Sequence, residues 1–428
     1  MLRILDARTA KGRRDLEGIL SKRRGAPDFE TLREILPVVE EVLRKGPKPL
    51  ARFVRRFDGV SLPPKRLLVD PARGPALKVD PKFVRAFRLA RRRIESYHRQ
   101  QRPSGFSFRD SVGVRFVEKP FPLESVGVYV PGGRAFYPSS LLMGAIPAQV
   151  AGVPRIVVAT PPRAYLASAE LRWALRELGI REVLLAGGAH GIAGLVSVAG
   201  CAKIVGPGNR FVAAATHLVS GLVSVDLPAG PSEVLIVASG DARADLVAAD
   251  LLAQAEHDPD AVGLVFTNSE RLARAVARET AAEVETFPEK SVRAVMRASL
   301  RRNGAIVVFP GIDEAVAAGL RAAVEHVQVM GKSAERSGRG LLSTAGALFL
   351  GSTTPTAFGD YVAGPNHVLP TGGAARSFSG LSVRDFLRWG RSIEVPPRAA
   401  RRIGPAAATL ARFEGLVAHE RSVLRRLS

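Results

Sequence analysis

The spacing of apolar residues divides the chain into a first part that is mainly helical and a later part in which strands alternate with helices. Apolar residues recur at helical intervals in 29–43 and 83–97, so residues 1–110 are predicted to be largely helical, and strand-like alternation first occurs at 112–117. From Ser125 onward, short apolar runs are separated by amphipathic stretches. Such alternation is typical of βαβ units, which build a parallel sheet.

The alternating pattern occurs twice along the chain. The first series of strands is predicted at 126–130, 155–160, 182–186 and 203–205. After a Pro-Ala-Gly-Pro segment at 228–231, a second series is predicted at 233–238, 262–267, 305–309 and 345–350. We therefore predict two α/β domains that meet near 228–232, with a helical region before them and a helical tail after them.

Net charge raises the question of a polyanionic partner. The chain has 62 Lys and Arg against 40 Asp and Glu, a formal net charge of +22. However, the basic residues are scattered in pairs and triplets, and aromatic residues, on which single-stranded nucleic acids stack, make up only 6% of the chain. A generally basic or heat-adapted surface is therefore the preferred interpretation, and a nucleic-acid partner is not expected.

Other features of the composition bear on the cellular compartment. We find no run of about 18 apolar residues of the kind that spans a membrane. Charged residues interrupt the N-terminal segment too often for a secretory signal. Cys201 is the only cysteine, which excludes an internal disulfide and a Cys-rich zinc or iron–sulfur site. A single thiol suits a reducing cytosol, so we expect a cytoplasmic protein.

One helix end carries candidate metal ligands. A helix is predicted from about Asp241 to Asp258-Pro259, because the residue before a proline is disfavoured in helical geometry. Gln254 and His257 are three residues apart, roughly 60° around the helix axis, so they are predicted to face the same way from its last turn. An amide oxygen and an imidazole nitrogen there would make half of a metal site.

Glycine-rich turns and an adjacent acid–base pair are further candidates. Gly187-Gly188-Ala189-His190 and Gly206-Pro207-Gly208-Asn209 each follow a predicted strand, where ligands of parallel sheets bind. Neither is a full G-x-G-x-x-G, and a tight turn without a ligand is at least as good an interpretation of each. Glu325 and His326 are adjacent and could divide proton transfers in a pocket, although a solvated pair is the simpler interpretation of the local sequence.

Several long motifs, taken in order, resemble the histidinol dehydrogenase family. The motifs are 126–133 with Tyr137-Pro138-Ser139-Ser140, then 206–209, DLPAGPSE at 226–233, LLAQAEH at 251–257, GDYVAGPNHVLPT at 359–371, and the tail from Glu414 to His419. The resemblance covers about residues 110–428 and is more diffuse before that. A set of this length in one order is highly specific.

The resemblance implies a zinc site, a catalytic pair and a cofactor site. The residues implied to bind one Zn²⁺ per subunit are Gln254, His257, Asp360 and His419. The implied catalytic pair is Glu325 and His326. The implied substrate contacts are the four zinc ligands with Ser232, His326, His367 and Glu414, and the implied NAD contacts are Tyr129, His190 and Asn209. Two imidazoles with two oxygen ligands suit Zn²⁺ that keeps an open position for substrate.

The resemblance also implies a reaction and an assembly. L-Histidinol would be oxidised with two NAD⁺ and water, through bound L-histidinaldehyde, to L-histidine, in the last steps of histidine biosynthesis. In the family, zinc holds the substrate and does no redox chemistry. His326 would take the alcohol proton, and Glu325 would activate the water that hydrates the aldehyde. The family is homodimeric, and the tail that carries Glu414 and His419 completes the partner's site.

With the resemblance, the division of the chain becomes more specific, and we expect an α/β fold with two Rossmann-like domains. The expected units are an N-terminal helical arm at 1–30, a helical region at 31–122 that packs with the second α/β domain, a first Rossmann-like domain on the NAD side at 123–230, a second Rossmann-like domain with the zinc and catalytic residues at 231–376, and a helical tail at 377–428 that crosses the dimer.

The chain departs from the family pattern in a few places. Val324 stands where the family usually has proline, an asparagine usual a few residues upstream is missing, and His190 stands where the family usually has glutamine. The stretch from Gly187 to Gly206 is also several residues shorter. An imidazole at position 190 can still donate a hydrogen bond as an amide does. The alternative is a family relative that oxidises another amino alcohol or a diol; a zinc hydrolase is less favoured, because no H-E-x-x-H motif occurs.

Overall fold

The computed structural model describes residues 2–23, 29–74, 76–132, 137–226 and 230–427. The strands in these ranges are β1 (Arg3–Asp6), β2 (Leu68–Val69), β3 (Phe106–Arg109), β4 (Arg115–Pro122), β5 (Val126–Tyr129), β6 (Ile156–Thr160), β7 (Glu182–Leu185), β8 (Lys203–Val205), β9 (Ser224–Val225), β10 (Glu233–Ala238), β11 (Val262–Thr267), β12 (Gly304–Val308), β13 (His326–Met330), β14 (Ala347–Leu350) and β15 (Leu387–Glu394). The predicted boundary near 228–232 falls partly outside the described residues, which do not include 227–229.

Helices connect most of these strands. The α-helices in the described ranges are α1 (Ala10–Arg23), α2 (Phe29–Lys45), α3 (Pro47–Phe53), α4 (Pro81–Arg99), α5 (Pro138–Ala151), α6 (Pro162–Ala167), α7 (Ala169–Glu177), α8 (Gly188–Ser197), α9 (Arg210–Val219), α10 (Ala244–Ala255), α11 (Glu270–Thr286), α12 (Lys290–Asn303), α13 (Ile312–Ala322), α14 (Lys332–Ser337), α15 (Thr356–Tyr361), α16 (Pro397–Phe413) and α17 (Val417–Leu424). None of these helices is both long enough and apolar enough to cross a membrane.

Two six-stranded sheets form the frame of the molecule. The strand order of the first is β2-β7-β6-β5-β8-β9, and that of the second is β1-β12-β11-β10-β13-β14. All pairings in the second sheet are parallel, and in the first only β2 runs antiparallel to its neighbour. In both sheets the chain first builds outward on one side and then crosses to the other, which is the doubly wound arrangement. The prediction of an α/β fold with parallel-sheet cores is confirmed.

The core lies on both faces of each sheet. One face of the first sheet packs against α4, α5 and α7, and the other against α2, α3, α8 and α9. One face of the second sheet packs against α1 and α13, and the other against α10, α11 and α12. Strands such as β10 and β11 are buried at every position for this reason. Their nearly continuous apolar sequences follow from this double cover.

The N-terminal part of the chain differs from the prediction in two respects. First, 1–30 is not a purely helical arm, because β1 forms the edge of the second sheet, with Arg3 opposite Ala305. Second, 31–122 was expected to pack with the second α/β domain, but its helix α2 packs on the first. Ile35 and Val39 of α2 share an apolar cluster with Ile192 of α8, in the first domain. Helical periodicity shows which face of a helix is buried but not which surface covers it.

The C-terminal tail also contains a strand. β15 pairs antiparallel with β4, which pairs with β3, so a three-stranded sheet joins the tail to the segment before the first domain. The expectation of a wholly helical tail is therefore wrong at 387–394. Most positions of β15 are exposed, so it lacks the alternation of buried and exposed residues by which strands are detected in a sequence. Beyond it, α16 and α17 form the predicted helices.

Candidate active site

The predicted catalytic pair lies at the amino edge of the second sheet. Glu325 directly precedes β13, and His326 is the first residue of that strand, opposite Val234 of β10. Ser232 directly precedes β10 and so lies at the same edge. Ligands of doubly wound sheets generally bind at the carboxyl edge. These three residues lie at the opposite edge, because they belong to the segments that enter β10 and β13 rather than to those that leave them.

His326 is buried between two carboxylates. Its Nδ1 lies 3.5 Å from Oε2 of Glu325, and its Nε2 lies 3.6 Å from Oδ1 of Asp360. Neither contact is a formed hydrogen bond, so both ring nitrogens are buried without a hydrogen-bond partner among the described residues. Burial alone lowers the pKa of His326, but the two carboxylates outweigh burial, and the pKa is raised. Such an imidazole has nitrogens available to a ligand that enters the site.

The backbone of neighbouring strands orients Glu325. Its Oε2 accepts a hydrogen bond from the backbone N–H of Glu233 at 2.7 Å, and its carbonyl oxygen accepts one from the N–H of Ala347 at 2.8 Å. Gly346 passes so close to this carbonyl that a Cβ would stand 2.6 Å from the oxygen. The sheet therefore holds both the main chain and the carboxylate of Glu325 beside His326.

Asp360 and His367 meet across the loop that follows α15. Nδ1 of His367 lies 3.0 Å from the carbonyl oxygen of Asp360. Because a carbonyl only accepts, Nδ1 carries the proton and Nε2 is an acceptor. Burial lowers the pKa of His367, which favours the neutral ring. Burial raises the pKa of the Asp360 carboxyl, but the neighbouring His326, His367 and His257 outweigh it and lower the pKa. The end of α15 and the loop after it thus present an ionised carboxylate and a neutral imidazole.

Asn366 fastens this loop to α5 of the first domain. Its Nδ2 donates to the carbonyl of Met143 at 2.8 Å, and its Oδ1 accepts from the N–H of Val368 at 2.9 Å. The carbonyl of Met143 lacks its helical partner because the residue four positions later is Pro147, which has no N–H. A side chain from the candidate site therefore satisfies the carbonyl that an internal proline leaves free.

The end of α10 separates the two ligands predicted there. The helix ends at Ala255, so Gln254 belongs to its last turn and His257 to the turn that follows. The prediction that both project from the helix is right for Gln254 only. Gln254 is buried, and its Nε2 has no hydrogen-bond partner among the described residues. His257 is exposed and near enough to Asp360 to lower the pKa of that carboxyl.

Gln254, His257 and Asp360 offer donor types that fit a zinc ion. An amide oxygen, an imidazole nitrogen and a carboxylate oxygen are all zinc ligands, and the buried amide of Gln254 has unused hydrogen-bonding capacity. Within the described ranges of one chain, however, no three His, Cys, Asp or Glu side chains are grouped so as to hold a metal. The predicted fourth ligand, His419, lies exposed on α17, and Glu414 lies exposed at the end of α16. These two helices pack chiefly on each other.

Two of the predicted cofactor residues shape the carboxyl edge of the first sheet. Tyr129 ends β5, and its hydroxyl accepts a hydrogen bond from the N–H of Gly188 at 3.0 Å. Burial raises the pKa of Tyr129 to about 12, so the phenol is neutral. Asn209 caps α9, since its Oδ1 accepts from the N–H groups of Phe211 at 3.1 Å and Val212 at 3.2 Å. Both residues therefore adjoin the switch point between β5 and β8.

The third predicted cofactor residue, His190, is engaged inside the protein. Its Nε2 lies 2.9 Å from Oδ2 of Asp58, and the same oxygen accepts the N–H of Gly187 at 3.1 Å. The ring of Phe57 packs against the imidazole at 5.6 Å between centroids. His190 is only 3% exposed. Its imidazole thus fastens the glycine-rich turn to the N-terminal region.

Sequence reasoning did not single out four residues that shape these sites. Asn366 and Glu233 lie inside the quoted motifs GDYVAGPNHVLPT and DLPAGPSE, so those motifs held the signal for them. Asp58 and Arg23 lie far along the chain from their partners Gly187 and Glu233. A single sequence carries no local mark of such long-range pairs.

Comparison with known proteins gives consistent results. The family model described as histidinol dehydrogenase matches residues 21–427. A histidinol dehydrogenase from Bradyrhizobium diazoefficiens is 42% identical over 416 residues, which are 96% of this chain and 95% of that protein. One from Rhizobium meliloti is 40% identical over 422 residues, which are 97% of this chain and 96% of that protein.

Solved structures extend the comparison to the fold. The crystal structure of histidinol dehydrogenase from Elizabethkingia anophelis superposes with a TM-score of 0.87 at 28% identity, covering 100% of this chain and 98% of that one. An acetylating aldehyde dehydrogenase from Geobacillus thermoglucosidasius gives a TM-score of 0.50 at 12% identity, covering 89% of this chain and 96% of that one. The second similarity concerns the fold alone.

Proposed function

Since the chain belongs to the histidinol dehydrogenase family and is therefore an oxidoreductase of histidine biosynthesis, we propose that it oxidises L-histidinol to L-histidine in two NAD-linked steps with the aid of zinc. The observation that carries the proposal is the buried cluster at the amino edge of the second sheet. There, both ring nitrogens of His326 lie within 3.6 Å of a carboxylate, from Glu325 on one side and Asp360 on the other. An imidazole held beside a carboxylate is an arrangement that takes protons from hydroxyl groups.

Zinc would be held by Gln254, His257 and Asp360 of one chain together with His419. Bound zinc supplies a Lewis acid that orients the imidazole and amino nitrogens of the substrate. Two features support this set: Nε2 of the buried Gln254 amide has no hydrogen-bond partner among the described residues, and the carboxyl of Asp360 is held ionised by nearby imidazoles. When Asp360 binds a cation, Glu325 is left as the carboxylate partner of His326.

The two catalytic residues would divide the proton transfers. His326 takes the proton of the alcohol in the first oxidation and that of the hydrated aldehyde in the second. Glu325, whose Oε2 is fixed by the N–H of Glu233, removes a proton from the water that adds to the aldehyde. NAD⁺ supplies the hydride acceptor for each oxidation. Overall, L-histidinol, two NAD⁺ and water give L-histidine, two NADH and protons.

The remaining predicted residues would bind substrate and cofactor. Ser232 borders the cluster from the start of β10, and the free Nε2 of His367 suits a hydrogen bond from the substrate. Tyr129 and Asn209 border the edge of the first sheet, where we place the cofactor. His190 would shape the cofactor site indirectly, by holding the glycine-rich turn that begins at Gly187, since its Nε2 is already bonded to Asp58.

We also propose that the active enzyme is a homodimer in which α16 and α17 reach the partner's site. Glu414 and His419 are exposed, and within the described residues neither belongs to a group of three or more His, Cys, Asp or Glu side chains that could hold a metal. On these helices, large apolar side chains face solvent, including Phe413 at 85% exposed and Leu410 at 64%. A partner subunit would bury them. The lone, buried Cys201 suits a reducing compartment, and we propose the cytoplasm.

The proposal is tested by counting NADH formed per L-histidinol consumed by the purified, zinc-loaded protein. We expect two NADH per substrate, loss of activity after chelation and its recovery with Zn²⁺. A protein that reduces NAD⁺ with another amino alcohol or a diol, but not with L-histidinol, would instead be a relative with a changed substrate. No NADH with zinc confirmed in the protein would contradict the proposal outright.

A further inference from the structure

A buried ion pair lies directly behind Glu325. The guanidinium of Arg23, at the end of α1, donates from Nε to Oε1 of Glu233 at 2.7 Å and from Nη2 to Oε2 at 2.6 Å. The side chains of Arg23 and Glu233 are only 3% and 2% exposed. Nη1 of Arg23 also donates to the carbonyl of Ala322 at 2.9 Å. The ion pair is therefore bidentate, and a third nitrogen of the guanidinium is bound by a backbone carbonyl.

Both residues that bind Arg23 belong to segments that position the carboxylate of Glu325. Glu233 is the first residue of β10, and its backbone N–H is the donor to Oε2 of Glu325 at 2.7 Å. Ala322 is the last residue of α13, and the turn from it to Glu325 passes through Ala323 in the left-handed region, with φ of 48°. Arg23 thus links β10, whose first residue supplies the N–H donor, to the turn before β13, which positions the accepting carboxylate of Glu325.

The route by which Arg23 reaches this point is long. β1 lies at the edge of the second sheet, several strands from β10 and β13. From there α1 packs across one face of the sheet, where Leu16 and Ile19 join an apolar cluster with Leu235 and Val327. The helix ends with Arg23 beside the amino edge that carries Glu325. A buried ion pair adds little net stability compared with apolar side chains of the same size, so packing alone gives no reason for an arginine here.

We propose that Arg23 is a positioning residue that acts through Glu233 to hold the Glu325 carboxylate in place for catalysis. This inference rests on the proposed function, in which Glu325 activates water for the second oxidation. The bidentate fork fixes the first residue of β10, and so fixes the direction of the N–H that binds Oε2. The same oxygen lies 3.5 Å from Nδ1 of His326, so its position also sets the geometry of the catalytic pair.

The experiment measures the oxidation of L-histidinaldehyde by Arg23→Met, alone and in a Glu325→Gln background. We expect Arg23→Met to lower kcat about tenfold with KM changed less than about twofold, the range for outer partners of catalytic groups. In Glu325→Gln enzyme, Arg23→Met is expected to have no further effect on kcat. A structural role alone would lower kcat by the same factor in both backgrounds, and that result would overturn the proposal.

A matched control lies in the first domain. Arg155 makes a bidentate pair with Glu182 at 2.8 and 2.7 Å and donates to the carbonyl of Ala199 at 2.6 Å, the same set of bonds at a distance from Glu325. Arg155→Met is expected to leave kcat for L-histidinaldehyde at the wild-type value. If it lowers kcat as much as Arg23→Met does, the effect of Arg23 is not specific and the proposal fails.

Two further variants keep the test decisive if Arg23→Met does not fold. Arg23→Lys keeps the charge but loses the fork, and Arg23→Met with Glu233→Gln removes both charges of the pair. Each is expected to lower kcat in a folded protein, as checked by circular dichroism, and full activity in both would refute the inference. Wild-type rates in Glu325→Gln would refute the role of Glu325 itself and this inference with it. Absence of NADH from the wild type is the separate failure of the proposed function.

Discussion

Replacing Asn366 with alanine tests how the candidate site is tied to the first domain. The substitution removes the donor to the Met143 carbonyl and the acceptor for the Val368 N–H, at 2.8 and 2.9 Å. Asn366 is only 6% exposed, so water does not readily replace either bond. The carbonyl is also denied a partner within its own helix, because Pro147 stands where the next N–H would be.

The size of the effect follows from these two groups. A buried backbone group left without a partner costs about 1–3 kcal/mol, and single substitutions rarely exceed about 4 kcal/mol in total. We therefore expect Asn366→Ala to lower the free energy of unfolding by about 2–4 kcal/mol. As a control, Asn303→Ala removes an exposed bond to the carbonyl of Asp260, 3.0 Å long, and should cost less than about 1 kcal/mol.

The assay is urea unfolding of Asn366→Ala in the wild-type background and in Pro147→Ala. Alanine at position 147 restores an N–H that can bond to the Met143 carbonyl within α5. In that background Asn366→Ala should cost at least about 1 kcal/mol less, because one of the two orphaned groups is satisfied by the helix. If Asn366→Ala lowers the free energy of unfolding equally in the two backgrounds, the explanation is refuted. The stabilising bond of Asn366 would then not be the one to the Met143 carbonyl.

Four other predictions concern single groups. Burial raises the pKa of Asp250 from 3.8 to about 6, so the stability that the protonated carboxyl allows is present below about pH 4 and is lost as the pH rises to 6. Asp250→Asn should therefore weaken the fall of the melting temperature between pH 4 and 6. A melting temperature that falls as steeply in the variant as in the wild type would disprove this prediction. His326→Asn should abolish most turnover while zinc stays near one per chain, and loss of zinc would make the residue a ligand. Mixed Gln254→Ala and His419→Ala chains should regain part of the activity; inactive reconstituted heterodimers would mean that the tail serves its own chain. Burial raises the pKa of Cys201 to about 12, so a thiol reagent should react with it in urea but not with the native protein.

The sequence predicted those parts of the fold that local patterns determine. The strands at 126–130, 233–238 and 262–267 were found within a residue or two, because buried parallel strands are short apolar runs bounded by turns. The helix that carries Gln254 was also found, although it runs from Ala244 to Ala255 rather than from about Asp241 to Asp258. The family resemblance implied one site for Glu325, His326 and Asp360, and these three side chains lie close together.

What the sequence could not show depends on contacts between distant segments. Nothing near Phe29–Lys45 indicates that α2 covers the first sheet and not the second, because its apolar stripe would fit either. Nothing near Arg23 indicates a partner at Glu233.

The position of β1 has a consequence for how the chain is made. β1 leaves the ribosome well before its partner β12, whose residues are synthesised only after those of the whole first domain. The second domain therefore stays incomplete during most of translation. Its edge strand β1 and Arg23 have no partners while the first sheet is synthesised. A pairing of Arg3 with Ala305 is non-local, and closing it late is slow compared with local helix formation. Expression of the second α/β half by itself would yield a sheet with an open edge, in which Glu233 lacks its ion pair with Arg23.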